Sequence, residues 1–327
     1  MNLAPAEAAP VLEVRHLSKS FTVTGSLLRQ AKGTLRAVDD VSFAIAPGET
    51  LCIVGESGCG KSTLGRLALR LIEPSSGQIL IEGRDVTALS QEQMRPFRRR
   101  MQMVFQDPYA SLNPRLSAQE IVTEPIDNYE PLSSADRRER AVQLLTRVGL
   151  HADMLNRRPF EFSGGQRQRL GIARALSLHP VLIVADEPVS ALDVSVQAQV
   201  LNLMLDLQDS MGIAYLFISH DLSVVEHIGQ RIAVMYLGRI VELAERDALF
   251  ARPQHPYTEA LLQAIPVPDP RARRARPILE GELPSAIAPP SGCTFHPRCP
   301  YVTARCRSEV PALRQLADGQ LVACHLR

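Results

Sequence analysis

A glycine-rich run, Gly55–Ser62, constrains the fold more than any other part of this sequence. It reads G-E-S-G-C-G-K-S, which fits the pattern G-x4-G-K-S/T, and it lies between an apolar β-type run and a helical pattern that starts at Thr63. In that context the loop amides surround phosphate oxygens, and the following helix N-terminus adds partial positive charge. We therefore expect a phosphate loop (Gly55–Ser62), with Lys61 reaching the β- and γ-phosphates and Ser62 ligating Mg²⁺. The alternative interpretation of this glycine-rich run is a turn with a purely structural role.

Short apolar runs alternate with helical patterns over residues 1–250, as in a layered α/β fold with buried parallel strands. The spacing of apolar residues from Val196 to Met211 predicts an amphipathic helix that contributes to the core. Arg231–Glu242, with a glycine between two apolar stretches, predicts a hairpin. The predicted strands are Thr50–Gly55, Met101–Gln106, Val181–Asp186 and Ala214–Ser219.

Composition excludes several classes of protein. Hydrophobic residues make up 45% of the chain and charged residues 22%, which excludes disorder as the main state. Lys+Arg number 36 and Asp+Glu 35, so net charge gives no drive toward nucleic acid, and we expect no nucleic-acid partner. No apolar run is long enough to span a bilayer, and the first residues lack the pattern of a signal peptide, so we expect a cytoplasmic location.

Two acidic residues follow the apolar run Val181–Ala185. Asp186 at the end of a strand beside the phosphate loop would hold the Mg²⁺ shell. Glu187 would orient or deprotonate the attacking water, if the geometry brings it within reach. Paired carboxylates alone could equally be a solvated strand end, so their functional interpretation depends on the phosphate loop.

A second glycine motif, Ser163-Gly164-Gly165-Gln166, opens a helical segment before Asp186. Together with the phosphate loop and the two acids, this S-G-G-Q motif makes the chain resemble the ATP-binding subunits of ATP-binding cassette (ABC) transporters. The resemblance implies a P-loop NTPase domain of α/β class over residues 1–250, with a helical insertion over about 108–179. ATP and Mg²⁺ are the implied cofactors.

The resemblance also implies roles for individual residues. Gln106 would contact Mg²⁺ and sense the membrane partner, Asp193 would belong to a loop between nucleotide sites, His220 would contact the γ-phosphate, and Phe21 would stack on adenine. The implied catalytic residues are Glu187, His220 and Lys61, and the implied Mg²⁺ ligands are Ser62, Gln106 and Asp186. The implied ATP-binding residues are Phe21, Gly55, Glu56, Ser57, Gly58, Cys59, Gly60, Lys61, Ser62, Thr63, Gln106, Ser163, Gly164, Gly165, Gln166, Asp193 and His220.

Three further segments, Phe105–Pro114, Pro188–Gln197 and His255–Thr258, are similar to the dipeptide and oligopeptide importers, most of all to the second (F-type) ATP-binding subunit of dipeptide importers. This similarity implies a peripheral protein at the cytoplasmic face of the membrane. Its implied partners are a second ATP-binding subunit, two permease subunits and an extracytoplasmic peptide-binding protein. Ser163 and Gly165 would complete the site of the facing subunit. Import of nickel or glutathione is an alternative, and a soluble ABC ATPase outside transport is another.

The proline-rich tail, residues 251–327, contains four cysteines spaced C-x5-C-x6-C-x17-C. The four are Cys293, Cys299, Cys306 and Cys324. Four thiolates could hold Zn²⁺ or a 4Fe-4S iron–sulfur cluster, and the resemblance to related subunits with this tail implies the cluster. The same four residues could instead be free thiols or form a disulfide. A basic run, Arg271–Arg276, is interpreted as a solvated linker, with contact to lipid headgroups as the alternative.

Overall fold

A computed structural model describes residues 9–23, 33–265 and 284–327. By their internal contacts these residues form two compact units. The first unit contains residues 9–12, Ile45–Glu49 and Ile81–Ile218, and the second contains the described parts of Glu13–Ala44, Thr50–Leu80 and Ser219–Arg327. Within the described ranges, no helix has the length and apolar character needed to cross a membrane. The basic run of the tail lies outside the described residues.

The elements are numbered in chain order. The strands are β1 (Leu12–Val23), β2 (Gly33–Ile45), β3 (Thr50–Val54), β4 (Ser76–Ile81), β5 (Arg84–Asp85), β6 (Met101–Val104), β7 (Leu182–Asp186), β8 (Ala214–Ile218), β9 (Arg231–Tyr236), β10 (Arg239–Glu245), β11 (Arg314–Gln315) and β12 (Leu321–Val322). The helices are α1 (Lys61–Ala68), α2 (Gln91–Arg100), α3 (Pro108–Ser111), α4 (Ala118–Asp127), α5 (Ser134–Arg147), α6 (Gly164–Leu176), α7 (Val194–Met211), α8 (Leu222–Ile228), α9 (Arg246–Ala251), α10 (Pro256–Gln263) and α11 (Ala304–Ser308).

In the first unit, β7 lies between β6 and β8, and both pairings are parallel. Every residue of β7 and β8 is buried, which explains why these strands are apolar throughout instead of alternating. The four predicted strands are confirmed, with ends one or two residues shorter than predicted. Helix α7 confirms the amphipathic prediction, since Val200, Met204 and Leu207 are buried in the core.

The segment from residue 108 to 179 is entirely described and contains helices and short turns but no strand. Helix α4 begins at a capping box in which the Ser117 hydroxyl accepts from the Glu120 amide, and Ser133 caps α5 in a similar way. Local capping therefore sets where these helices begin. The segment is therefore all-helical, and its status as a separate insertion stays a prediction.

In the second unit, β9 pairs with β3 in parallel and with β10 in an antiparallel hairpin. This confirms the predicted hairpin, whose turn residues Leu237 and Gly238 both have positive φ. The tail then adds two short antiparallel strands, because β12 pairs with β10 and β11 pairs with β12. A second sheet of this unit has the order β2-β1-β4. The tail is thus packed in the same unit as the strand that leads into the phosphate loop.

Candidate nucleotide site

The phosphate loop leaves the buried strand β3 and ends where α1 begins at Lys61. Gly60 has φ +108°, and a Cβ there would overlap the carbonyl oxygen of Ala37. Only glycine meets both conditions, since side chains disfavour that φ and none fits this close approach. The Cys59 thiol is buried, and burial raises its pKa, so the loop offers its backbone and not a reactive thiolate.

The Lys61 side chain folds back over this loop and is only 5% exposed. Its Nζ donates to the carbonyl oxygens of Gly55 at 2.8 Å and Glu56 at 3.0 Å. A buried ammonium needs such partners, because an unpaired charge in the interior is costly. The structure therefore holds a positive charge inside the loop, where anionic phosphate oxygens are expected to bind.

The end of β7 carries the paired acids. Asp186 is its last residue and is 3% exposed, and Glu187 follows with φ +47° while its amide donates to Ile218 O at 3.0 Å. The Gln106 side chain, after the neighbouring strand β6, donates from Nε2 to Glu187 Oε2 at 3.0 Å. The first unit thus brings together two residues that the sequence predicted as parts of one site. Their separate positions along the chain meet because β6 and β7 are parallel neighbours.

The S-G-G-Q motif forms the N-terminus of α6. The exposed Ser163 accepts from the Gln166 amide at 3.3 Å, and the Gln166 side chain accepts from the Ser163 amide at 2.9 Å. A Cβ at Gly165 would lie 2.4 Å from a methyl group of Val196 at the start of α7, so a larger residue there would force this side chain to shift. The result is an exposed serine at the positive end of a long helix, a chemically suitable anion contact.

Three other residues predicted to bind ATP, Asp193, His220 and Phe21, lie on different elements of the fold. Asp193 caps α7 by accepting from the Val196 amide at 3.0 Å, and hydrogen bonding from Ser195 is the largest of the effects that lower its pKa. His220 is exposed and follows Ser219, whose amide donates to Ile53 O at 3.1 Å in the strand that leads to the phosphate loop. Phe21, on β1, is 38% exposed, with the Lys19 ammonium 5.1 Å from its ring.

Sequence reasoning missed two contacts to the phosphate loop. The Tyr257 hydroxyl accepts from the Glu56 amide at 2.9 Å, and Arg298 forms two hydrogen bonds with the Glu56 carboxylate, at 2.9 and 3.0 Å. Tyr257 belongs to a segment that the sequence had already singled out, His255–Thr258, but nothing in its spacing reveals where it packs.

The four tail cysteines all lie among the described residues. Burial raises the pKa of Cys293 to about 11, with smaller contributions from the nearby Cys306, Cys324 and Cys299 thiols. The Cys293 amide donates to Cys306 O at 2.8 Å. All six cysteines are free thiols, and among the described residues no group of three or more Cys, His, Asp or Glu is arranged to hold a metal ion. The four tail thiols therefore do not form a metal ligand set in the described part of the chain.

Comparison with known proteins assigns the family. Residues 38–190 match the ABC transporter model, and residues 241–306 match the model of the oligopeptide/dipeptide transporter C-terminal region. A probable peptide ABC transporter ATP-binding protein of Sinorhizobium fredii, y4tS, is 62% identical over 97% of this chain and 90% of its own length. The oligopeptide transport ATP-binding protein AppF of Bacillus subtilis is 52% identical over 99% of both chains. The chain belongs to the ABC transporter ATP-binding proteins.

The solved structures agree with this family. The ATP-binding cassette MJ0796, in a dimeric post-hydrolysis state bound to ADP and Pi, aligns with a TM-score of 0.64 at 29% identity, covering 72% of this chain and 98% of that one. The cassette cbiO1 of Clostridium perfringens aligns with the same TM-score at 26% identity, covering 75% of this chain and 92% of that one. The predicted fold class, an ABC-type P-loop NTPase domain, is therefore confirmed. Members of this family are ATPases coupled to transport, and ATP with Mg²⁺ is the general cofactor of this ABC ATPase.

Proposed function

We propose that this ABC ATPase binds and hydrolyses ATP to energise uptake of dipeptides or oligopeptides across the cytoplasmic membrane. The proposal is supported by sequence similarity to ATP-binding proteins of peptide transporters. This similarity extends over nearly the whole chain and includes the tail. Import of nickel or glutathione would use the same motor, so the transported solute is the finer part of the proposal. The similarity to AppF supports an F-type subunit.

Each predicted site residue keeps its proposed role. Lys61 and the amides of the phosphate loop bind phosphates, Glu187 positions or deprotonates water, and His220 contacts the γ-phosphate. The contact between Gln106 and Glu187 supports this, because it joins the proposed sensor of the membrane partner to the proposed base. The remaining ATP-binding roles predicted from the resemblance are proposed without change.

Magnesium would be held by oxygen donors of Ser62, Gln106 and Asp186. A hydroxyl, an amide oxygen and a carboxylate form the hard-oxygen set that Mg²⁺ prefers, and Asp186 is a buried acid of the kind such a cation compensates. When bound, the ion would neutralise charge that develops on the transferred phosphoryl group. The protein's own part is to hold these oxygens, the loop amides and Lys61 in place.

The proposed assembly contains a second ATP-binding subunit, two permease subunits and an extracytoplasmic peptide-binding protein, with this chain peripheral at the cytoplasmic face. The exposed Ser163 of the S-G-G-Q motif supports a facing subunit, since Ser163 and Gly165 would complete the partner's site. We keep the proposed division into an ATP-binding domain, 1–250, and a tail, 251–327.

Exposed aromatic residues in and just before the helical insertion support docking of a permease. Phe105, Tyr109 and Phe160 are 38%, 61% and 64% exposed. Arg167 stacks 3.6 Å from the Tyr109 ring, and Arg174, on the same face of α6, lies 5.8 Å from Phe105. Phe105 directly precedes Gln106, so a permease helix seated on Phe105 would reach the residue that contacts Glu187.

Two variants of the assembled transporter in liposomes test this function. Glu187→Gln should retain bound ATP but lose hydrolysis by about 10²- to 10⁴-fold, the usual contribution of a positioned base. Lys61→Ala should weaken ATP binding itself. Asp153→Asn, an exposed carboxylate of the insertion, is the matched control and should leave both unchanged.

The solute is tested in the same liposomes with dipeptides, longer peptides, glutathione and Ni²⁺ supplied together with the binding protein. Peptides should raise the ATPase rate and accumulate inside. Stimulation by Ni²⁺ or glutathione alone would reassign the solute, and undiminished phosphate release in Glu187→Gln would defeat the proposed site. Failure of this chain to assemble with any permease would favour an ABC ATPase outside transport.

A second proposal concerns the tail thiols. We propose that Cys293, Cys299, Cys306 and Cys324 are the ligands of a 4Fe-4S cluster. Four thiolates are the donor set of such a cluster, and the backbone hydrogen bond between Cys293 and Cys306 supports it. Because no ligand arrangement is present among the described residues, binding would require these side chains to reorient.

Anaerobic purification should give a coloured protein with about four iron atoms per chain if the cluster forms. Cys299→Ser should lose iron and colour, whereas Cys52→Ala, in the buried strand β3, should keep them. Stoichiometric zinc without visible absorbance would replace the cluster with a zinc site. Metal-free protein with four titratable tail thiols would remove both.

A further inference from the structure

A short turn of the tail, His296–Arg298, contacts the phosphate loop. Arg298 donates from Nη1 to Glu56 Oε2 at 2.9 Å and from Nη2 to Glu56 Oε1 at 3.0 Å. The Arg298 side chain is 7% exposed and the Glu56 side chain 25%. Two parallel hydrogen bonds fix the plane of the carboxylate as well as its position, which a single contact would not do.

The backbone of the same loop residue is held by a second tail element. The Tyr257 hydroxyl, on α10, accepts from the Glu56 amide at 2.9 Å. Tyr257 is fully buried and packs at 4.7 Å from the Tyr236 ring and 5.4 Å from the Phe295 ring, measured between centroids. A rigid aromatic cluster therefore fixes the hydroxyl that binds the loop.

Glu56 is thus fastened at three points. Its amide binds Tyr257, its carboxylate binds Arg298, and its carbonyl accepts from Lys61 Nζ at 3.0 Å. Because Lys61 is the proposed phosphate contact, a shift of Glu56 would displace an anchor of that ammonium. A loop already held in its binding shape loses less conformational freedom when a ligand binds, which raises affinity.

Stability alone does not account for the arginine. A buried ion pair gains little over apolar side chains of similar volume, but its geometry specifies one arrangement. Both terminal nitrogens of the guanidinium donate to the Glu56 carboxylate in the phosphate loop.

We propose that Arg298 and Tyr257 are positioning residues of the nucleotide site, through which the C-terminal tail holds Glu56 and sets the affinity of the phosphate loop for ATP. This rests on the proposed assignment of that loop. Neither residue touches the reacting atoms; both act through Glu56. The tail is therefore a working part of the ATP site and not an appendage.

The test uses the full chain assembled with its permease partners, and measures KM for ATP and kcat. Arg298→Gln should raise KM about tenfold, equivalent to ~1.4 kcal/mol, and leave kcat within about twofold. Arg298→Lys keeps the charge but only one contact, so its KM should lie between. Arg305→Gln is the matched control, because this tail arginine pairs at 2.7 Å with Glu309, is exposed, and does not address the loop.

Glu56→Gln completes a double-mutant cycle. If the two residues act as a pair, Glu56→Gln combined with Arg298→Gln should be no worse in KM than the poorer single variant. Tyr257→Phe removes one oxygen and should raise KM in the same direction. If Arg298→Gln does not fold, Arg298→Lys and Tyr257→Phe carry the test.

Unchanged KM in these variants, or equal effects of Arg298→Gln and Arg305→Gln, would overturn the positioning role. A lower melting temperature with KM unchanged would show a purely structural contact. These results leave the proposed function intact as long as Lys61→Ala weakens ATP binding. If Lys61→Ala binds ATP normally, the phosphate-loop assignment itself fails, and the two failures are therefore distinguishable.

Discussion

Acidification should weaken the fold at His255, a buried residue of the tail. The residue is 1% exposed, its Nδ1 accepts from the Tyr257 amide at 3.1 Å, and its own amide donates to Glu242 at 2.8 Å. Burial, and secondarily the positive charge of Arg327, lower the pKa of His255 to about 3. The folded protein therefore keeps this imidazole neutral, as the accepting Nδ1 requires.

The sign and size of the effect follow from proton linkage. In the unfolded chain His255 titrates near its ordinary pKa of about 6.5, so below that pH the unfolded state binds more protons than the folded state. The stabilisation is complete above pH ~6.5 and is lost as the pH falls toward about 3. Each pH unit in that window costs about 1.4 kcal/mol, and the change from pH 7 to pH 5 costs about 2 kcal/mol.

The assay compares thermal unfolding of the full chain and of His255→Asn at pH 7 and pH 5. Asparagine offers an oxygen that can cap the helix at the same place but does not titrate. With about 1.5 °C per kcal/mol for a chain of 327 residues, the wild type should lose about 3 °C more than the variant between the two pH values. Burial raises the pKa of Glu242, which acts in the opposite direction, but Glu242 is present in both proteins and cancels. Parallel curves for the two proteins would refute the reasoning.

Three further predictions concern the phosphate loop, the S-G-G-Q motif and the two buried cysteines near the loop. Gly60→Ala should abolish ATP binding and lower the melting temperature, because αL strain of about 1–2 kcal/mol adds to overlap with Ala37 O; a variant that binds ATP normally would contradict this. Ser163→Ala should lower the free energy of unfolding by about 1 kcal/mol through loss of the helix cap, measured by denaturant unfolding. A variant with the same unfolding free energy as the wild type would show that the cap is dispensable. In the native chain Cys52 and Cys59 should resist a thiol reagent until denaturant is added, because both are buried and burial raises the pKa of both thiols; rapid native modification of either would disprove it.

Sequence patterns correctly predicted the elements whose structure is determined by neighbouring residues along the chain. The strand β3, the phosphate loop and α1 follow from an apolar run, a glycine whose φ and neighbours exclude a side chain, and a helical repeat. Likewise the hairpin of β9 and β10 is contained in consecutive residues around one glycine. In each case the information lies within a short stretch of neighbouring residues.

Contacts between distant segments could not be predicted in this way. Nothing in the spacing of the tail indicates that β12 would pair with β10, or that Arg298 would meet Glu56. Such contacts depend on which surfaces remain available after the sheet has formed, and residue periodicity carries no record of that. The cysteine spacing predicted a shared metal site, and no metal-holding group is present in the part of the chain that the structure describes.

The contact between Glu56 and Arg298 can form only late in synthesis, because the two residues are far apart along the chain. The two residues are 242 positions apart, so at ~5–20 residues per second a ribosome needs roughly 10 to 50 s to deliver the second after the first. Throughout that interval the emerging chain has its glycine turn but lacks the guanidinium that holds it. If Arg298 has the proposed positioning role, a nascent or prematurely terminated polypeptide would bind cellular nucleotide more weakly than the finished chain, because its phosphate loop is held only after the tail has folded.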